Sequence, residues 1–177
     1  MKKLIIVLSL ASIFAFSGTV LADQVYGGFG LNPVSGQQSY VADGIMNVNV
    51  AYEPADERMA GWRFSYMMIN FEQSDANSNT IKSQIFSAEQ LFTAVINPNL
   101  SLIGAFGPGL FLTSVNTDKN RNGIAIGLSA VGSVRYLISD KLFIEGAYHY
   151  SNCAVEIGDG SVDAGYQGLF INLGTSF

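Results

Sequence analysis

Ile124-Ala125-Ile126-Gly127-Leu128-Ser129-Ala130-Val131-Gly132-Ser133-Val134-Arg135 decides how this chain is read. Ile124, Ile126, Leu128, Ala130 and Val134 alternate with Ala125, Gly127, Ser129, Ser133 and Arg135. Neighbouring side chains on a strand point to opposite faces, so one face here is greasy and the other small or polar. Helical periodicity, with an apolar face returning every 3.6 residues or so, is weak throughout this region.

The same alternation recurs on both sides of this stretch. Val25, Gly27, Phe29 and Leu31 alternate with Tyr26, Gly28 and Gly30. Met46, Val48, Val50 and Tyr52 alternate with Asn47, Asn49 and Ala51. Leu169, Ile171, Leu173 and Phe177 alternate with Gly168, Asn172, Gly174 and Ser176. Strands are expected at 24–32, 40–53, 60–72, 80–95, 100–114, 122–137, 141–152 and 164–177. Connections at 33–39, 73–79, 115–121 and 153–163 are polar, those at 96–99 and 138–140 are tight, and 54–59 is long for a turn. A greasy outer face suits lipid and a small, polar inner face fills a lumen. The expected fold is all-β: an eight-stranded antiparallel transmembrane β-barrel over residues 23–177. A barrel of this size is filled by its side chains, which argues against a pore. Phe177, on the greasy face at the chain end, is similar to the C-terminal aromatic signal of bacterial outer-membrane proteins. That residue and the greasy outer faces argue against a soluble lipocalin-like carrier.

Residues 1–22 read as a signal peptide. Lys2 and Lys3 precede the apolar run Leu4 to Phe16, and Val20-Leu21-Ala22 ends in a small residue, so cleavage is expected before Asp23. The apolar run is short of the ~20 residues of a membrane-spanning helix. Removing Lys2 and Lys3 takes the formal charge from -5 to -7, which leaves no basic footprint for nucleic acid. One cysteine and one histidine allow neither an internal disulfide nor a metal cluster, and no cofactor is expected. The lone Cys153 is expected to be an exposed, incidental thiol.

His149 is the single histidine, and Ser151 follows two residues later. Residues two apart on a strand share a face at roughly 6.5–7 Å. An imidazole is the base that a serine hydroxyl needs to become a nucleophile, and a carboxylate must fix its tautomer. Asp163 begins the next strand and is the candidate, with Glu156 and Asp159 as competitors.

His149-Tyr150-Ser151-Asn152 resembles the H-x-S-N signature of the PagL-type lipid A 3-O-deacylases. Leu169-Phe170 is similar as well, so the resemblance runs from Phe143 to Phe170. It implies an eight-stranded outer-membrane barrel with a Ser-His-Glu triad near the outer end of the last two strands. The family's acid follows its histidine by about 14 residues, which is Asp163 here (163 − 149 = 14). Two departures stand out: Asp replaces Glu, and Gly158-Asp159-Gly160 stands where a Pro-Asn pair is expected. The resemblance implies a serine esterase, here assumed monomeric, acting on lipid A, the anchor of lipopolysaccharide, at the extracellular leaflet among outer-membrane lipids. Ser151 would be the nucleophile, His149 the base, Asp163 the orienting acid and Asn152 an oxyanion donor or support. The alternative is a non-enzymatic barrel with a structural or adhesive role, OmpX- or OmpW-like.

Strict alternation puts Phe143, Glu145, Ala147, His149 and Ser151 on one face, and Leu142, Ile144, Gly146, Tyr148 and Tyr150 on the other. The second set suits lipid better, and Glu145 is expected to face inward toward Arg135. His149 and Ser151 would then face inward too, unless a bulge near Gly146 switches parity. The family's site faces lipid, so the two inferences conflict. Asp118, Lys119, Asn120 and Arg121 read as a solvated loop tip whose cations could meet lipid phosphates. Trp62 and the tyrosines suit interfacial girdles.

Overall fold

The computed structural model describes residues 22–35, 40–42, 47–54, 61–73, 80–116, 121–157 and 160–177. The residues read as a signal peptide lie outside the described residues, except Ala22. Among the described residues, eleven strands follow in chain order: β1 (Ala22–Ser35), β2 (Tyr40–Ala42), β3 (Val48–Pro54), β4 (Trp62–Gln73), β5 (Thr80–Asn97), β6 (Leu100–Asn116), β7 (Arg121–Leu137), β8 (Leu142–Asn152), β9 (Ala154–Ile157), β10 (Gly160–Asp163) and β11 (Tyr166–Ser176). β1, β3 to β8 and β11 are the staves of the expected eight-stranded antiparallel barrel. β11 pairs back onto β1 from Gln24↔Ser176 to Ser35↔Tyr166, which closes the sheet and leaves no open edge. The β1 ladder shifts register between Leu31 and Val34. Pro33 lies there, and proline has no N–H to give a ladder.

Two segments depart from the expected layout. The strand expected at 40–53 is described as two pieces, β2 and β3. The polar connection 153–163 contains a second hairpin, β9 with β10, from Asp163↔Ala154 to Gly160↔Ile157. It continues the β8–β11 pair past Cys153, whose carbonyl accepts the Ala164 amide at 2.9 Å. The chain runs close to β7 at this point. A Cβ on Gly127 would stand 2.4 Å from the Asn152 carbonyl oxygen and 2.7 Å from the Cys153 Cβ, so no side chain fits there.

Alternation holds along the wall. Ile124, Ile126 and Leu128 are 71%, 79% and 66% exposed, an apolar surface that water would not tolerate and lipid would. The lumen is packed in two unlike halves. The proximal half lies where β1 begins and β11 stops. There Arg135 bridges Glu145 at 2.6 Å and Glu53 at 2.8 Å, and Arg63 bridges Glu53 at 3.0 Å and Glu145 at 3.7 Å. The expected inward pairing of Glu145 with Arg135 is thus formed. Tyr26 donates its hydroxyl to Glu53 at 2.9 Å, and Asn172 donates to Glu145 at 3.3 Å. Gln24 also accepts from Arg135, and the Arg135 guanidinium lies 4.4 Å over the Phe143 ring. Each of the four ions faces both opposite charges, which offsets the cost of taking them out of water.

The distal half, under the connections from β4 to β5 and β6 to β7, is not the small, polar lumen expected. Met67, Ile69, Ile81, Ile85, Phe111, Val115, Val155 and Tyr166 form an apolar core there. The outer face at the same level carries Asn70, Lys82, Gln84, Ser114 and Asn122. The wall therefore inverts, from apolar-out around its middle to apolar-in at its distal end. A strand that leaves lipid for water must bury its apolar residues inward.

Candidate functional site

β8 carries the H-x-S-N residues at its distal end. Its pairings with β7 and β11 run without a register shift, so no bulge at Gly146 switches parity. His149 and Ser151 therefore face the lumen, 1% and 3% exposed. This settles the conflict left by the sequence: the pair points away from the wall. Ser151 sits between Ser129 on β7 and Tyr166 on β11, its direct cross-strand neighbours. Its Oγ accepts the Tyr166 amide at 3.2 Å. His149 sits between Val131 and Gly168. The Phe170 ring lies tilted 59° against the imidazole with centroids 4.7 Å apart. Neither His149 nitrogen has a hydrogen-bond partner among the described residues.

The carboxylate that faces this region is Glu89 of β5, fully buried. Its Oε1 accepts Ser129 Oγ at 2.6 Å and Ser87 Oγ at 2.9 Å, while Oε2 has no partner among the described residues. The Tyr166 hydroxyl is also buried without a partner among the described residues. His149, Ser151, Ser129, Glu89 and Tyr166 thus line a part of the lumen where several polar atoms are unsatisfied. Such atoms are uncommon in folded proteins.

Comparison with known proteins bears on the fold. No family model matches the chain, and no curated protein sequence matches it. Among solved structures, the crystal structure of Neisserial surface protein A superposes with a TM-score of 0.61 at 14% identity, covering 87% of this chain and 95% of that one. Ail, the attachment invasion locus protein of Yersinia pestis, superposes with a TM-score of 0.50 at 13% identity, covering 89% of this chain and 99% of that one. The fold is that of a small transmembrane β-barrel. At such identities the likeness is one of architecture alone.

The other expected site residues fall elsewhere on this barrel. Asp163 pairs with Ala154, five positions beyond His149 along the β8–β9 line (154 − 149 = 5). At about 3.3 Å per residue that is roughly 16 Å. The side chain of Asp163 lies outside the described residues, as does Asp159. Asn152 is exposed on the outer face, across the wall from Ser151, and Glu156 is exposed on β9. Cys153, expected to be exposed, is instead 3% exposed in the distal core, because the β9–β10 hairpin folds it against β7. Of the loop tip 118–121, only Arg121 is described, and it is exposed at the start of β7. Trp62 is exposed on the wall at the proximal end, where a girdle residue belongs. Glu89 was not picked out from the sequence. Its signal was parity: Ile81, Ser83, Ile85, Ser87 and Glu89 share one face, and a carboxylate among hydroxyls and isoleucines on that face marks a lumen group.

Proposed function

We propose that the protein is an outer-membrane esterase that removes the ester-linked 3-hydroxyacyl chain from the 3-position of lipid A. The observation that carries this reading is His149. It is the chain's single histidine, buried in the barrel two residues from a serine on its own face, with neither ring nitrogen bonded among the described residues. A histidine kept for structure would take a partner, since one unsatisfied buried polar atom costs about 1–3 kcal/mol. A general base keeps a lone pair open for the proton it must accept. The resemblance of His149 to Asn152 to the deacylase signature supplies the substrate class. The apolar wall supports placement in a bilayer, with the distal end outward because longer connections lie on that side.

In this reading His149 takes the Ser151 proton as Oγ bonds to the ester carbonyl carbon. The bond from that carbon to the sugar oxygen breaks, and His149 returns the proton to the sugar oxygen. Water then attacks the acyl-serine with His149 again as base, releasing a 3-hydroxy fatty acid and restoring Ser151. The present arrangement is the resting one. The Tyr166 amide engages Ser151 Oγ, and the β9–β10 hairpin above is the lid that an acyl chain must displace.

A second reading is a non-enzymatic barrel with a structural or adhesive role. It is favoured by the enclosure of Ser151 and by the distance between the Asp163 backbone and His149. One experiment separates the two: the mass of lipid A before and after incubation with purified protein in detergent. The esterase reading expects the loss of one hydroxyacyl chain with the native protein and none with Ser151→Ala. An unchanged lipid mass with native protein, or an active Ser151→Ala, establishes the second reading or another nucleophile.

A further inference from the structure

The outer wall carries a feature that the esterase reading does not use. Asn70 pairs with Lys82, Lys82 with Ser114, and Ser114 with Asn122, so four polar residues stand in one unbroken cross-strand row over β4, β5, β6 and β7. Strands lie about 4.8 Å apart, so the row is roughly 14 Å long. The next row toward the membrane is Met68, Gln84, Leu112 and Ile124, and the one beyond is Tyr66, Phe86, Leu110 and Ile126. The polar row thus marks the line where the wall turns from apolar-out to polar-out. The two rows border a cleft of about 400 Å³ that includes Asn70, Lys82, Gln84, Ser114, Asn122 and Ile124. Among the described residues, no acidic side chain lines it. Lys82 is the only lysine on a strand among the described residues and has no ion pair among them, in a chain whose formal charge is -5.

From this juxtaposition we infer that the row is a docking site for the phosphorylated sugar headgroup of a neighbouring outer-leaflet lipid of the lipid A type. The inference rests on the outer-membrane placement proposed above, but not on hydrolysis. A lysine ammonium offers three donors and forms charge-assisted bonds to phosphate. The asparagine amides and the serine hydroxyl donate and accept, which suits sugar hydroxyls beside a phosphate. Acyl chains of a lipid docked here lie along Met68, Leu112, Ile124, Phe86 and Ile126. A free phosphate ion would use the cation and leave that apolar surface uncovered.

The test is native mass spectrometry of the folded barrel in detergent. The parent carries Ser151→Ala, so that the lipid stays intact whether or not the protein is an esterase. The parent should retain bisphosphorylated lipid A. Lys82→Gln, an exposed change that leaves the barrel heat-modifiable on gels, should weaken retention about tenfold or more. Asn122→Asp, which adds a negative charge to the row, should weaken it as well. Dephosphorylated lipid A should bind the parent no better than intact lipid A binds Lys82→Gln, and inorganic phosphate should not displace the lipid. Equal retention by parent and Lys82→Gln, or equal binding of both lipid forms, overturns the site. Displacement by inorganic phosphate overturns the lipid as its occupant. Hydrolysis is scored separately on protein with Ser151 intact, so a failed dock and a failed esterase give different results.

Discussion

The two halves of the lumen solve the same problem in opposite ways. In the proximal half, Glu53, Arg63, Arg135 and Glu145 are interlocked, so that each charge meets both of its opposites. Toward the distal half, Glu89 holds two serine hydroxyls on one oxygen, while its other oxygen, both His149 nitrogens and the Tyr166 hydroxyl have no partner among the described residues. The first arrangement is stable only when complete. The second gathers those unmet atoms on Glu89, His149 and Tyr166, whereas elsewhere in the lumen only single atoms of Asn47, Asn49, Arg63 and Ser133 are so left among the described residues. The contrast teaches where to look for work: an interlocked ionic network holds the barrel, and in the proposed esterase the less satisfied cluster is where a substrate would supply missing partners.

The contrast breaks most sharply at Arg135. Arg135→Met leaves Glu145 and Glu53 buried with one guanidinium between them, and should lower unfolding free energy by about 3–5 kcal/mol. Urea titration of the refolded barrel in detergent micelles measures this. A loss under about 1 kcal/mol would mean that the proximal network is as dispensable as a surface ion pair.

His149→Leu should do the reverse. It removes two unsatisfied nitrogens and keeps apolar volume against Phe170, so stability should hold or rise by about 1 kcal/mol. Deacylation should fall at least about a hundredfold, because the base is gone. A stability loss comparable to that of Arg135→Met would make His149 a structural residue and remove the argument for catalysis.

The smallest expected effect sharpens the choice of acid. Glu89→Gln keeps the shape that Ser87 and Ser129 bond and removes only charge, so stability should change by about 1 kcal/mol. Side by side with Asp163→Asn, the deacylation rates decide which carboxylate serves His149. A silent Glu89→Gln with a slow Asp163→Asn gives the role to the acid matching the signature, and the opposite pattern gives it to the lumen carboxylate.

How much of this was legible follows from what constrains each residue. Ile124, Ile126 and Leu128 meet lipid, and Ser129 and Arg135 meet the lumen, so two environments enforce one alternation and the barrel reads directly from the chain. The distal ends of β4 to β7 did not read as simply. Ile81 and Ile85 face inward there and Lys82 and Gln84 outward, because water replaces lipid and reverses the rule while the period stays two. The β9–β10 hairpin was hidden in Val155-Glu156-Ile157 and Ser161-Val162-Asp163, runs too short for a period to show. For the candidate site, the sequence supplied the pair but not its direction. Glu145 already pointed to the lumen, and the unbroken ladders of β8 carry that parity on to His149 and Ser151. Glu89 lies 60 residues before His149 (149 − 89 = 60), and only closure of the barrel brings it to the same lumen.

Closure has a kinetic consequence as well. The seam joins Gln24 to Ser176, a separation of 152 residues (176 − 24 = 152), so the first strand of the barrel cannot be paired on both sides until the last has arrived. Contacts this distant in sequence form slowly. Until then β1 and β11 are bare edges on a sheet whose outer surface is greasy, the condition most prone to mispairing with another chain. The chain's risk of aggregation is therefore concentrated in the time before its two ends meet, and a variant that weakens the seam should betray itself in folding yield before it does in the stability of the finished barrel.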